Sequence, residues 1–113
     1  DLVLWLMTTF YKNEAVDLTT TNVTVVYTAP AAKTAIFKSI LVSNDSGSAD
    51  TITLTLTNAA AAVFSLYKLE EVGALSTREL LEQPLVLETA EIIKAQAATA
   101  GRLHVVASYM EIT

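Results

Sequence analysis

Cysteine is absent from this 113-residue chain, and proline occurs twice, glycine three times and histidine once. Without thiols there are no disulfides and no thiolate metal sites. The absence suits a reducing compartment without proving one, since many extracellular proteins also lack cysteine. A single histidine, His104, cannot build a zinc site that draws on several His or Cys ligands, and no partners for a catalytic triad can be placed around it. Basic residues are also scarce: seven, scattered and unclustered, against twelve acidic ones, for a net charge of -5. That balance argues against nucleic acid as a partner, because affinity for phosphates comes mostly from Lys and Arg. Long apolar runs are missing too. The longest near the start, Leu2-Val3-Leu4-Trp5-Leu6-Met7, is about a third of the ~20 residues a bilayer span needs, so no membrane partner is expected. It is too short for a signal-peptide core and follows an acidic Asp1. Met7-Thr8-Thr9-Phe10 reads like an ordinary protein start, so residues 1–6 are either an upstream extension or an apolar arm that buries itself on a neighbouring subunit.

What remains is ample material for one domain. Half of the residues, 52%, are apolar, enough for a core without staples. Asn22 to Thr28 is dense in β-branched residues and stops before Pro30. Lys33 to Ser43 is a longer strand candidate. It runs into the polar stretch Asn44-Asp45-Ser46-Gly47-Ser48-Ala49-Asp50, and Thr51 to Thr57 then alternates strictly. Ile52, Leu54 and Leu56 fall on one face and four threonines on the other, the period of a half-buried strand. Arg102 to Ile112 closes the chain with apolar residues on both faces, as in a central strand or a subunit contact.

Two regions carry conflicting signals. Asn58 followed by four alanines, and Val63 to Val72 ending at Gly73, have the N-cap and C-terminal glycine of a helix. Ser76-Thr77-Arg78-Glu79 matches a capping box, and Glu88 to Ala100 is rich in Ala, Glu and Lys. Against this, Pro84-Leu85-Val86-Leu87 and Glu91 to Ala97 read as short strands. The turn signals fall at short intervals, which favours a sandwich.

No catalytic, cofactor or metal site is expected. Glu70, Glu71, Glu79, Glu82, Glu88 and Glu91 could supply an acid/base pair, yet carboxylates coat any acidic surface. The 44–50 loop fails as an EF-hand: counting twelve positions from Asn44 or Asp45 reaches Thr55 or Leu56, and neither is the required glutamate. A looser calcium site on Asp45 and Asp50 stays open beside the plainer reading of a turn. Asn22-Val23-Thr24 and Asn44-Asp45-Ser46 fit the glycosylation sequon but carry little weight without a secretion signal.

From Val25 onward the chain resembles small virion proteins of tailed bacteriophages. The matching segments are Val26-Tyr27-Thr28-Ala29-Pro30, Lys33 to Asn44, Ile52 to Leu56, Pro84-Leu85-Val86-Leu87 and Ser108-Tyr109-Met110-Glu111-Ile112. One departure is Ala90-Glu91, where such sequences often carry a Gly-Asp turn. The resemblance implies strands over most of residues 63–98. It implies a mainly β, single-domain antiparallel β-sandwich of jelly-roll type, with residues 1–21 an extended N-terminal arm and residues 22–113 the sandwich. It further implies a non-enzymatic capsid cement (decoration) protein on the virion surface, made in the host cytoplasm. Its partners would be itself, as a homotrimer, and the major capsid protein. Contacts are expected from Leu4, Trp5, Phe10 and Tyr11 in the arm and from Tyr109 and Met110 on the last strand. A tail adaptor or baseplate component, and a carbohydrate- or calcium-binding sandwich module, are the alternatives.

Overall fold

The alternating segment is strand β4 (Asp50–Thr57), and its parity organises the core. Ile52 and Leu54 are fully buried, while Thr51, Thr53 and Thr55 face outward and are half-exposed. The computed structural model describes residues 8–113, so Leu4 and Trp5 lie outside the described residues. Among those described, the chain is all strand and turn. The remaining strands are β1 (Thr9–Leu18), β2 (Thr24–Thr28), β3 (Thr34–Asn44), β5 (Val63–Val72), β6 (Ser76–Glu79), β7 (Leu85–Leu87), β8 (Ile92–Ala97) and β9 (Leu103–Ile112).

One sheet has the order β1-β9-β3-β6, with β7 also on β3; the other has the order β2-β8-β4-β5. Every pairing is antiparallel. The pairs are nested: β1 with β9, β2 with β8, β3 with β6 and β7, and β4 with β5. The chain is thus one long hairpin, folded at the β4–β5 turn and rolled so that successive pairs alternate between sheets. That is the jelly roll, a sandwich whose two inner faces share one core.

The inner faces supply Leu18, Phe37, Ile40, Val42, Ile52, Leu54, Leu87, Ile93, Leu103 and Val105, all fully buried. Tyr27, Phe37 and Tyr109 form an aromatic knot, with centroids 4.6–5.1 Å apart. That is the range in which ring pairs attract beyond their buried area.

The helix signals are overridden by packing. In β8, Ile93, Ala95 and Ala97 are buried while Lys94 and Gln96 point outward, so the Ala/Lys/Gln content serves a period of two. Alanine's helix preference is only tenths of a kcal/mol per residue, less than burying one isoleucine supplies. Asn58 does cap, but it caps a turn: its side chain accepts the amides of Ala60 and Ala62 at 3.0 and 2.9 Å. Glu79 caps a neighbouring strand, accepting the Ile40 amide at 2.8 Å beside the β-bulge between Phe37 and Ser39.

Residues 9–18 of the expected arm are β1, paired with β9 from Thr9↔Ile112 to Leu18↔Leu103. As an edge strand it is exposed along most of its length, so its sequence lacks the alternation that marks β4. Ala90 takes φ 69°, the left-handed conformation that glycine suits. The turn survives the substitution because Ala29 and residues 90–91 exchange backbone hydrogen bonds at 2.9 and 3.0 Å.

Candidate functional site

The loops 19–23, 45–49, 73–75 and 98–102 meet at one end of the sandwich. Gly101 donates its amide to Leu18 O, Leu75 donates to Ser46 O, and Arg102 donates to Ala49 O, all within 3.1 Å. The polar stretch that could have held calcium spends its oxygens internally. Asn44 is 2% exposed; its amide donates to Ser48 O and Val72 O, and its carbonyl accepts from Ser46 N and Oγ. The Asp50 carboxylate, also buried, accepts the amides of Thr51 and Thr99 at 2.8 and 3.1 Å. The loop is therefore a hydrogen-bonded turn whose charged group is already satisfied. Asn44 is also too buried to act as a glycosylation acceptor.

The strongest electrostatic centre lies at the opposite end, on the inward parity of β9. Leu103, Val105, Ala107, Tyr109 and Glu111 alternate inward, so the last inward residue is a carboxylate. Glu111 is 2% exposed. Lys12 Nζ of β1 lies 2.8 Å from Oε1 and Lys33 Nζ lies 3.7 Å from it. The Tyr27 hydroxyl of β2 donates to Oε2 at 2.5 Å. The Tyr109 hydroxyl donates to Glu14 at 3.3 Å. These groups, with Val25, Pro30 and their neighbours, line an open cleft of about 490 Å3 between the edges of the two sheets.

Bonds from Lys12 and Tyr27 hold the Glu111 carboxyl below the ordinary carboxylate range, outweighing its burial. Burial first, then the bond to Glu111, pushes the Tyr27 phenol far above its ordinary value of 10.0. Burial, then the charge of Glu14, pushes Tyr109 up to about 12. General acids and bases are tuned toward the working pH. All three groups here are tuned away from neutrality, so the cluster suits a fixed charge state. It ties β1, β2 and β9 together across the corner where the two sheets come together.

The expected contact residues separate. Tyr109 is 4% exposed and committed to the aromatic knot, leaving it almost no surface for another subunit. Phe10 faces Glu111 across the β1·β9 pair, and Lys12 and Lys33 sit 5.7 and 5.9 Å from its ring centroid. Tyr11 and Met110 do come together: they are direct register partners on the outward face. Tyr11 is 81% exposed. The rung they start continues through Ile36 to Val86. Four residues along β9, Ala15, Val106 and Leu41 form a second apolar rung, and Asn13, Ser108 and Ser39 lie between the two. His104 belongs to the same face, its Nε2 3.3 Å from the Asp17 carboxylate.

The other sheet looks different from outside. Its central strands present Thr51, Thr53 and Thr55 from β4 and Lys94 and Gln96 from β8, a polar centre, while its edge strands expose Val25 from β2 and Val63, Phe64 and Leu69 from β5. The apolar rungs were readable only in fragments, because they join residues from four distant segments. Glu111 had a local signal, a charged residue on the buried parity of an otherwise apolar strand.

No protein-family model matches the chain, and no curated protein matches it in sequence. Among solved structures it is similar to a protein of Bacillus endospore appendages, described as a novel family of disulfide-linked pili. The TM-score is 0.52 at 10% identity, covering 94% of this chain and 88% of that one. A pentameric capsid protein from metagenomic phage sequences is similar over 88% of this chain and 58% of its own, at 16% identity and TM-score 0.43. An infectious bursal disease virus structure (Gt strain) gives 7% identity and TM-score 0.46 over 94% of this chain and 32% of its own. The pilus comparison shows a shared fold. Lacking cysteine, this chain cannot share the disulfide linkage of those pili.

Proposed function

We propose that this protein is a non-enzymatic structural subunit of a bacteriophage virion, acting as a capsid cement protein. The observation that carries the reading is the contrast between the two outer faces. The central strands of one sheet present threonine, lysine and glutamine to solvent, its exposed apolar residues (Val25, Val63, Phe64 and Leu69) lying on the edge strands β2 and β5, whereas the other sheet carries two rungs of Tyr, Met, Ile, Leu and Val across its central strands. An isolated domain gains nothing from an apolar outer sheet face, whereas an assembly subunit buries it. The fold and the resemblance of Val25 to Ile112 to virion proteins support the same reading, as does a charge cluster tuned for permanence. Subunit contacts centre on Tyr11 and Met110, with Leu4 and Trp5 adding apolar arm contacts and Phe10 at the cleft rim. In the cement arrangement, copies gathered as homotrimers bind many equivalent lattice positions, and multivalency converts weak contacts into resistance to internal pressure.

The test is mass spectrometry of purified particles with copy number per virion, followed by heat challenge of particles with and without the protein. Hundreds of copies and a lower disruption temperature on removal are expected. A handful of copies would move the protein to the tail. Absence from particles, or no binding of the purified protein to stripped capsids, would overturn the virion reading.

A further inference from the structure

We propose that the outward face of the β1-β9-β3-β6 sheet is a two-fold self-association surface, occupied by the same face of a second copy. The inference rests on reading the chain as an assembly subunit and names the surface and its partner. The face carries two apolar rungs on either side of a neutral one, built on Met110, Val106 and Ser108 respectively. A two-fold axis lying in the interface along the Ser108 rung lays each apolar rung on the other. Met110 then meets Val106, Tyr11 meets Ala15, and Ile36 meets Leu41. Larger side chains fall on smaller ones in the first two pairs, and the neutral rung meets itself with hydroxyls and the Asn13 amide able to pair. This is the self-complementarity an isologous contact requires.

The area is also sufficient. Strands ~4.8 Å apart rising ~3.4 Å per residue give β1, β9 and β3, at about ten residues each, together with the short β6 and β7 on the flank of β3, a planar face of roughly 600 Å2. Side-chain relief raises that toward the ~800 Å2 per partner of a standard stable interface. Among the described residues, the ion pair Asp17 with His104 sits at the end of the face. Nearer the centre, the Glu79 carboxylate is held by the Ser39 hydroxyl and the Ile40 amide, and Lys38 is exposed at the bulge, from which its long side chain can reach solvent at the rim. The two-fold contact occupies Tyr11 and Met110, so the three-fold contacts of a homotrimer fall to the sheet edges, and the two-fold contact joins one homotrimer to the next.

The test uses the purified chain in solution, so its failure is separate from failure to find the protein in particles. Sedimentation of wild type at tens of micromolar is expected to show a species whose mass halves on dilution. Val106→Glu, at an outward position, is expected to raise the dissociation constant at least about 100-fold by placing a carboxylate in the apolar contact. Its circular dichroism should be unchanged. Because the chain has no cysteine, Ser108→Cys installs a unique thiol on the axis. A short bis-maleimide is expected to join Ser108→Cys into dimers and to leave Thr53→Cys, on the opposite face, monomeric. A wild type that stays monomeric, a folded Val106→Glu protein that associates as tightly as wild type, or equal cross-linking of the two thiols would each overturn the proposal.

Discussion

Raising the pH past 10 should unfold this protein along a slope set by two phenols. Tyr27 and Tyr109 are both buried, and both have folded-state pKa values above the unfolded value of 10.0. Below pH 10 both states keep the two protons and stability is complete. Above it the unfolded chain releases them while the folded chain holds them, so the unfolded state binds fewer protons and stability falls. Because the unfolded phenols are half ionised at pH 10, each group contributes about 1 kcal/mol between pH 10 and 11 and the pair about 2 kcal/mol, the slope approaching about 1.4 kcal/mol per unit per group only at higher pH. The Tyr109 contribution ends as the pH passes about 12, where its folded form ionises. Tyr27, raised further by burial and by the Glu111 carboxylate, continues beyond. The assay is urea unfolding at half-unit steps from pH 9 to 11.5, for wild type, Tyr27→Phe and Tyr109→Phe. Each substitution carries its own constant cost from a lost hydroxyl, but the slope isolates the proton. Each variant should be shallower than wild type by about 1 kcal/mol per unit between pH 10 and 11. Parallel lines for all three would show that the phenols ionise freely in the folded state and would refute the buried-clamp account.

Glu111→Gln should lower stability at pH 7 by about 2 kcal/mol, less than a fully buried pair because Lys12 stays 44% exposed and can rehydrate. The wild-type carboxyl has a depressed folded pKa, so its contribution is present above the unfolded value of ~4.3 and fades as pH falls through the folded one. Acid titration of the variant should lack that component, and an identical acid limb would contradict it. Asn44→Ala leaves the Val72 and Ser48 carbonyls and the Ser46 amide without their partner and should cost about 3 kcal/mol in urea unfolding. A change below ~1 kcal/mol would mean that water replaces the side chain. Ala90→Gly relieves a left-handed alanine and should stabilise by up to about 1 kcal/mol, the reverse of the usual effect of glycine, read as a raised thermal midpoint.

The parts of the fold legible in advance were those where one strand contains its own evidence. Thr51 to Thr57 alternates because one face meets the core and the other meets water, and that contrast needs no knowledge of the partner strands. β1 gave no such signal: at an edge, Phe10 to Glu14 is exposed on both sides. The segments 58–62 and 88–100 misled locally, because alanine favours a helix in isolation yet serves equally well as the small inward residue of β8. The Glu111 centre unites residues from β1, β2, β9 and the approach to β3, separated by up to 99 positions. Only a buried-parity carboxylate in the last strand pointed to it.

The nested pairing has a consequence for how the molecule is made. β9 is the last strand of the sequence, yet it lies between β1 and β3 in its sheet, and Thr113 and Thr8 are hydrogen-bonded neighbours. A ribosome releasing this chain delivers β1 and β3 long before the strand that joins them, so neither can zip into its final place during synthesis. Contacts this distant in sequence form slowly, since a large loop must close before any of them form. The nascent chain therefore waits, its inner faces uncovered, until residues 103–112 emerge. Completion is a single late event rather than a gradual accretion, and a chain that stops before residue 103 lacks the middle of a sheet, not its margin.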